Sequence, residues 1–426
     1  MYEPTLLQRR YRVMGNEAPL FYDQPLTFVK GEGVWLTAED GRRYLDVYNN
    51  VPCVGHCHPG IVAAMQRQAA QLNIHTRYLN EQVVAYAERM TALHDDPLDC
   101  LMFTCTGSEA NELALRLARF VTGNTGVIVS DYNYHGNTRS LAELATAMAT
   151  SEAFSAQARA VPIPCLYRAP AGTLAQQLED QYIAHLQAAI DSLKAQGTPV
   201  AALLIDTLFA NESLPRVPAG FVARAAELVR AAGGVLIADE VQSGFARTGE
   251  HLWGYQAQGV VPDIVTLGKP MGNGFPLAGV VTSREWVERF GHASMYFNTF
   301  GGSPVAAAVG MAVLDAIEDE QLQANALNVG RYLQERLLAL AERHELIGDV
   351  RGKGLFYAVE LVQDRQRQVA ASAEARQVVN RLRDQGILIS KIGPHDNILK
   401  IRPPLVFAQA HADLFVDTLD RVLTTL

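Results

Sequence analysis

Three short stretches of this sequence carry residue types able to do covalent chemistry on a small ligand. In Ile264-Val265-Thr266-Leu267-Gly268-Lys269-Pro270 a lysine directly follows a hydrophobic run, and glycines at 268, 272 and 274 permit tight turns. A lysine so placed can lose hydration, give up its proton near neutral pH and act as an amine nucleophile. The commoner fate of a strand-end lysine is a solvated surface charge. In Val235-Leu236-Ile237-Ala238 a second apolar run delivers Asp239-Glu240. A carboxylate buried there is costly unless a cation or donor meets it. A pyridinium nitrogen is such a group, and the alternatives are a magnesium ion or a plain strand-end acid. Because side chains alternate along a strand, Glu240 faces the other way.

The third stretch is Thr106-Gly107-Ser108-Glu109-Ala110-Asn111, after the run Cys100–Thr104 and ahead of a helical pattern. Small residues there let backbone N–H groups and a hydroxyl face an anion at a helix N-terminus, and a phosphate suits. The bland alternative is a serine-capped helix start with Glu109 in its first turn. No GK[ST] loop accompanies it, which argues against a nucleoside triphosphate. A phosphate cradle, a pyridine-type aspartate and an amine nucleophile together name one ligand, pyridoxal 5'-phosphate.

Those residues must be held by strands. Short β-branched runs at Cys100–Thr104, Gly126–Ser130, Ala160–Ile163, Val200–Asp206, Gly234–Asp239, Ile264–Leu267 and Val280–Thr282 alternate with amphipathic helical patterns. That rhythm predicts an α/β fold around a mainly parallel sheet, with the site beyond the carboxyl ends of its strands. Ahead of them, Val34–Leu36 and Tyr44–Val47 flank Glu39-Asp40-Gly41 as a hairpin, and helices are expected over Pro59–Gln71 and Glu81–Leu93. After Pro304 the pattern turns helix-rich, with helices over about Asp319–Ala341 and Ser372–Gln385 and strands in Gly348–Glu360 and Ile387–Ile389. The expected division is an N-terminal segment 1–58 that contributes to a small α+β domain, a large ligand-binding domain 59–308 and a C-terminal small domain 309–426.

The chain resembles the class III aminotransferase family of fold-type I PLP enzymes over nearly its full length. The resemblance rests on Gly107–Asn111, Tyr134-His135-Gly136, Ala238-Asp239-Glu240-Val241-Gln242-Ser243-Gly244 with its continuation to Gly249, Thr266–Lys269 and Thr299–Gly302, in that order. It implies a large domain with helices on both faces of the sheet plus the smaller domain. It further implies that Lys269 forms the Schiff base, Asp239 pairs with the pyridine nitrogen, Val241 packs on one ring face and Tyr134 on the other. By the same resemblance Gln242 lies near the ring hydroxyl, Gly107 and Ser108 hold the phosphate, and His135 belongs to the cofactor loop beside Tyr134. Thr299 resembles a threonine lent to the neighbouring subunit's phosphate site, which implies a homodimer with active sites at the interface, either alone or doubled into a tetramer.

The resemblance leaves the reaction divided. Asn73–Leu79 and Tyr296–Val305 look closest to the ethanolamine-phosphate phospho-lyase subgroup and its alanine-glyoxylate aminotransferase relatives, with Arg77 a candidate contact for a substrate phosphate or carboxylate. Arg402 matches the arginine that grips a keto or amino acid carboxylate, which favours amino transfer from an amine donor to a keto acid of the pyruvate, glyoxylate or 2-oxoglutarate type. Glu212 lies one residue from where some members place a glutamate that neutralises this arginine, and Asp206 stands where members usually carry a glutamate. Tyr22, with Tyr2, Tyr11 and Phe21, is a candidate for the substrate entrance, with core packing as the alternative. Elimination of phosphate from a phosphorylated amino alcohol is the alternative reaction, and a non-catalytic PLP-binding protein is the alternative class.

Composition bounds the rest. The net charge of -9 and the lack of any basic run exclude a nucleic-acid backbone as the main partner, while 49% apolar and 19% charged residues describe a globular chain. The longest alanine- and valine-rich run, Val305–Val313, is far short of a membrane span, and Met1–Arg12 leads into no signal-peptide core. Five cysteines, an odd number without a framework, fit a reducing compartment and predict a cytoplasmic protein. Cys53, His56, Cys57 and His58 have no distant partner pair at metal-site spacing, so no metal is expected.

Overall fold

The hydrophobic runs between residues 100 and 282 pair edge to edge in a computed structural model that describes residues 5–426. Tyr2 lies outside those residues. Ahead of the large sheet come β1 (Phe28–Glu32), β2 (Trp35–Ala38) and β3 (Arg43–Asp46), an antiparallel meander whose second turn falls at Glu39-Asp40-Gly41. The large sheet holds β4 (Cys100–Thr104), β5 (Gly126–Ser130), β6 (Ala158–Val161), β7 (Val200–Asp206), β8 (Val235–Asp239), β9 (Ile264–Leu267) and β10 (Ala278–Thr282) in the order β4-β10-β9-β8-β7-β5-β6. β9, β8, β7, β5 and β6 run parallel, and β10 is antiparallel to both of its neighbours.

β5, β7, β8, β9 and β10 are buried at every position, so both faces need cover. The alternation of side chains supplies two separate cores. Val127, Val129, Ala202 and Leu204 pack under the helix Gly107–Thr122 through Ala110, Leu113, Ala114 and Leu117. Ile128, Leu203, Ile205 and Leu236 face the other way, against Ile183, Leu186, Val222 and Val229 of the helices Ala175–Ala195 and Phe221–Ala231.

The later strands are β11 (Ile347–Lys353), β12 (Phe356–Asp364), β13 (Val369–Ala370), β14 (Ile387–Leu388), β15 (Ser390–Ile392) and β16 (Ile398–Ile401). They form an antiparallel sheet β11-β12-β16-β15 with β13 on β12, while β14 pairs in parallel with β3. The run Gly348–Glu360 is therefore a hairpin of two strands, turning at Gly354, whose φ of 53° suits glycine. A division at residue 308 falls inside the helix Pro304–Asp319, whose alanine-rich run is packed into the core. The helix expected over about Asp319–Ala341 is present as Leu322–Arg343; the preceding helix ends at Asp319, and Gln321 turns left-handed at φ 53° between the two.

One buried ion cluster ties the small sheet to the loop after β7. Arg351 on β11 is paired with Asp349 at 3.0 Å and Glu360 at 2.7 Å, and its Nε donates to the carbonyls of Ser213 and Leu214 at 3.0 Å each. Arg216 and Arg168 close on the same two acids.

Candidate active site

Three strand ends of the large sheet open on one cavity of about 110 Å³. β8 delivers Asp239, β9 delivers Gly268 and Lys269, and the helix Gly107–Thr122 begins just after β4. Gly107, Ser108, Tyr134, His135, Val241 and Gln242 join Asp239 and Lys269 in the lining, together with Asn111 and Gly136. Thr299 does not reach it: it sits exposed on a turn that Asn298 holds by accepting from Phe300 N and Gly301 N.

At one end of the cavity the helix N-terminus is free. Thr106, not Ser108, caps the helix: its hydroxyl accepts from Glu109 N at 3.1 Å, and Glu109 reaches back to Cys105 N and Thr106 N. This leaves the first N–H groups, of Gly107 and Ser108, and the Ser108 hydroxyl to an anion. The space is cut for glycine. A Cβ on Gly107 would lie 3.0 Å from Val241 Cγ2, one on Gly136 2.6 Å from Ser108 Oγ, and one on Gly268 3.3 Å from both Cα and N of Gly107.

At the other end lies Asp239. Its Oδ2 accepts from Asn111 Nδ2 at 2.9 Å and His135 Nδ1 at 2.8 Å, and its Oδ1 from Val241 N at 3.0 Å. Burial alone would lower the His135 pKa, but the hydrogen bond and charge of Asp239 outweigh it and the net shift is upward. Asn111 also donates to His135 O at 2.7 Å and accepts from Thr266 Oγ1 at 2.7 Å, so one amide aligns the whole group. Its functional part was not read from the sequence. The available signal was its place one helical turn beyond the cradle, on the same face as Gly107 and Ser108. Glu240 turns away as expected, accepting from Thr207, Ser243, Gly254 N and Tyr255 N, and burial pushes it up to about 7.

Between these ends stands Lys269, with φ at 33°, a strained angle for a side chain with a Cβ. Among the described residues its amine has no hydrogen-bond partner. Burial lowers its pKa, Arg402 adds to the effect, and Asp239 and Asp206 oppose it. Asp206, at the end of β7, is itself pushed up to about 6 by burial and by Asp239.

The rim comes from the small sheets. Arg402 follows β16; its Nε donates to Tyr48 O at 2.9 Å, its Nη1 donates to Gln242 Oε1, and its guanidinium lies 4.4 Å from the Tyr48 ring centroid. Among the described residues no carboxylate pairs with it. Tyr48 went unforeseen, and it is the aromatic that carries Arg402, with Phe21 packed edge-on against it at 5.4 Å. Tyr22 is half-buried beside Phe21, its hydroxyl donating to Ile389 O at 3.2 Å. Glu212 is not at Arg402. It is buried, accepting from Ser130 Oγ and from Asn211 N, and burial and Asp206 push it up to about 7. Arg77 is exposed, stacked 3.9 Å from the Phe297 ring centroid, and has no carboxylate partner among the described residues. His56 is paired with Asp46 and His58 with Glu320.

Residues 20–423 match the family model described as aminotransferase class-III. The chain belongs to that family. A Drosophila melanogaster relative named alanine–glyoxylate aminotransferase 2-like is 40% identical over 96% of this chain and 85% of its own. A solved phospholyase from Arthrobacter, in complex with phosphoethanolamine, is 48% identical with a TM-score of 0.97, covering 99% of this chain and all of its own. A PLP-bound amine transaminase from an uncultivated Pseudomonas species is 29% identical with a TM-score of 0.86, covering all of this chain and 98% of its own.

The class-III cofactor is pyridoxal phosphate, and the chain is an enzyme of that family. The cavity fits the group. Free N–H donors at a glycine-walled helix start suit its phosphate, a buried aspartate suits its ring nitrogen, and an unpartnered amine suits its aldehyde. Among the described residues no helix is long and apolar enough to cross a membrane.

Proposed function

We propose that this enzyme acts on a small primary amine that carries its own anion. The observation behind this is Arg402, a guanidinium at the rim with no carboxylate partner among the described residues. Since Glu212 is turned toward Ser130, no internal acid neutralises Arg402 for an uncharged amine, and an arriving substrate must supply the charge.

When bound, pyridoxal phosphate supplies an aldehyde for the amine and a ring that takes up the electron pair released at the adjacent carbon. Asp239, held by hydrogen bonds from His135 and Asn111, would pair with the ring nitrogen. Gly107 and Ser108 would hold the phosphate, with Val241 and Tyr134 beside the ring. Lys269, its pKa lowered by burial, takes the proton from the carbon bearing nitrogen. Arg402 orients the substrate so that this carbon faces Lys269. For the family's reaction, Lys269 would return the proton on the cofactor side, water would take nitrogen's place on the substrate carbon to free a carbonyl product, and a keto acid of the pyruvate, glyoxylate or 2-oxoglutarate type would accept the amino group by the same steps in reverse.

A second reading is favoured by the 48% identity to the phospholyase solved with phosphoethanolamine, a closer match than the 40% relative named as an aminotransferase. Here the carbon–oxygen bond to a phosphate on the neighbouring carbon breaks once Lys269 has taken the proton. Arg77, exposed and unpaired beside Phe297, supplies a second cation for that phosphate. A half-reaction separates the two. Mixed with amino acids and phosphorylated amino alcohols and no keto acid, a transaminase converts its cofactor to the amine form and releases no phosphate. A phospho-lyase releases phosphate over many turnovers and keeps its cofactor.

The same proposal includes a homodimer. Tyr78, Leu79, Met295 and Phe300 are exposed apolar residues on the two segments that Arg77 and Phe297 bring together, next to Thr299. An apolar patch of that kind suits a second subunit and lets Thr299 reach the partner's site. Light scattering of the purified protein at twice the chain mass is the expected result. The cytoplasmic placement rests on cysteines that are all free.

A further inference from the structure

Two donors converge on one amide oxygen beside the cofactor cavity: Gln242 Oε1 accepts from Lys400 Nζ at 3.2 Å and from Arg402 Nη1. A guanidinium has only donors, so the amide sits with its oxygen toward these two residues and its NH2 group turned away from them. Gln242 lines the cavity, and among the described residues nothing accepts from its Nε2. Arg402 has a further task, to grip the substrate's anion, and a fork engaged on substrate holds Gln242 less firmly. Lys400 has no such task. It is buried on β16 within Ile398-Leu399-Lys400-Ile401, paired in register with Ala358 and Ser390, its Nζ 5.6 Å from the Phe356 ring centroid. A leucine or methionine would fill that place in an apolar strand without the desolvation that a buried amine costs.

We propose that Lys400 is a positioning residue: it keeps the Gln242 amide turned with its NH2 group facing the cofactor cavity, as a donor to the ring oxygen of pyridoxal phosphate, while Arg402 is free to serve the substrate. The second half of this rests on the reading of Arg402 given above; the first half does not, and it is tested without substrate.

Apoprotein is titrated with pyridoxal phosphate, and the dissociation constant and the bound cofactor's absorbance maximum are read for native protein, Lys400→Met, Gln242→Ala and the double variant. Each single change weakens binding about tenfold and moves the absorbance band, and the double is no worse than either single. Lys400→Arg, which keeps a donor, recovers most of the affinity. Native affinity and an unmoved band in Lys400→Met, or effects that multiply in the double variant, overturn the proposal. Should Lys400→Met not fold, Gln242→Glu decides: it keeps an acceptor for both donors but brings no N–H. The expected result is an apoprotein melting temperature at or above native with a tenfold loss of cofactor affinity. A lower melting temperature with intact affinity overturns the proposal. Loss of substrate selectivity in Arg402→Ala is scored separately, so a failure of that reading leaves the Lys400 result standing.

Discussion

Asp206 and Asp239 are register partners at the ends of the neighbouring strands β7 and β8, so two carboxylates finish side by side at the top of the sheet. They are not equivalent. Asp239 accepts from Asn111, His135 and Val241 N, whereas Asp206 accepts from Leu208 N and is pushed up to about 6. Of the two, only Asp239 lines the cavity. Asp239→Asn is expected to lower kcat by at least about a hundredfold, and Asp206→Asn to stay within about tenfold of native, in steady-state assays. Equal losses in the two variants would contradict this division.

Lys269→Ala should remove turnover by both candidate reactions, with kcat down at least about a hundredfold. Because Lys269 sits at φ 33°, Lys269→Gly should give an apoprotein at least as stable as Lys269→Ala. Thermal melting of the two apoproteins checks the backbone argument independently of chemistry.

For Arg402, the fork matters as well as the charge. Arg402→Ala is expected to raise KM for the anionic substrate by about a hundredfold, and Arg402→Lys by about tenfold, since an ammonium cannot make a bidentate contact. An uncharged amine of similar size should be used no worse by either variant. A KM series across carboxylate, phosphate and neutral amines reads this directly.

Glu212 predicts a pH effect on stability. Its carboxyl rises from an ordinary 4.5 to about 7 in the folded chain, so the folded state keeps a proton that the unfolded state has released. Stability from this group is complete below about pH 4.5, falls as pH rises toward about 7, and changes no further above it. Glu212→Gln should flatten that decline, by on the order of 3 kcal/mol across the window. Denaturant melts of the apoprotein at several pH values provide the comparison, and parallel slopes would show that the group titrates normally.

Arg351→Met should destabilise the protein by about 3–5 kcal/mol, because it strands Asp349 and Glu360 in a buried site and releases the carbonyls of Ser213 and Leu214. Urea unfolding measures it. A near-native midpoint would mean that the cluster contributes little.

Much of the large sheet was legible because its buried strands are short β-branched runs, and Lys269 and Asp239 stand at the ends of two of them. The cavity lining followed the motifs for the same reason: each motif begins where a strand stops. What escaped depends on contacts between distant parts of the chain. Tyr48 and Lys400 lie in unremarkable local patterns and gain meaning only when the small sheets close over the large one. Glu212 was misplaced because the loop after β7 takes left-handed angles at Phe209, Ser213 and Leu214, and Arg351, far along the chain, braces the carbonyls of the last two. No local periodicity encodes that path. The Thr106 cap was open to reading, since threonine three residues before glutamate is a capping pair, yet Ser108 was the more conspicuous hydroxyl.

The abutment of Gly107 and Gly268 has a practical meaning for anyone wishing to retarget this enzyme. The helix that would carry the cofactor's phosphate and the turn that carries the lysine touch backbone to backbone, with no side chain between them to trim or swell. Their spacing is tight, and a side chain added at Gly268 would press on the Gly107 backbone. The rim around Tyr48, Arg77 and Arg402 is built from other segments of the chain, so diversity placed there can change which amine is accepted while the reacting block keeps its dimensions.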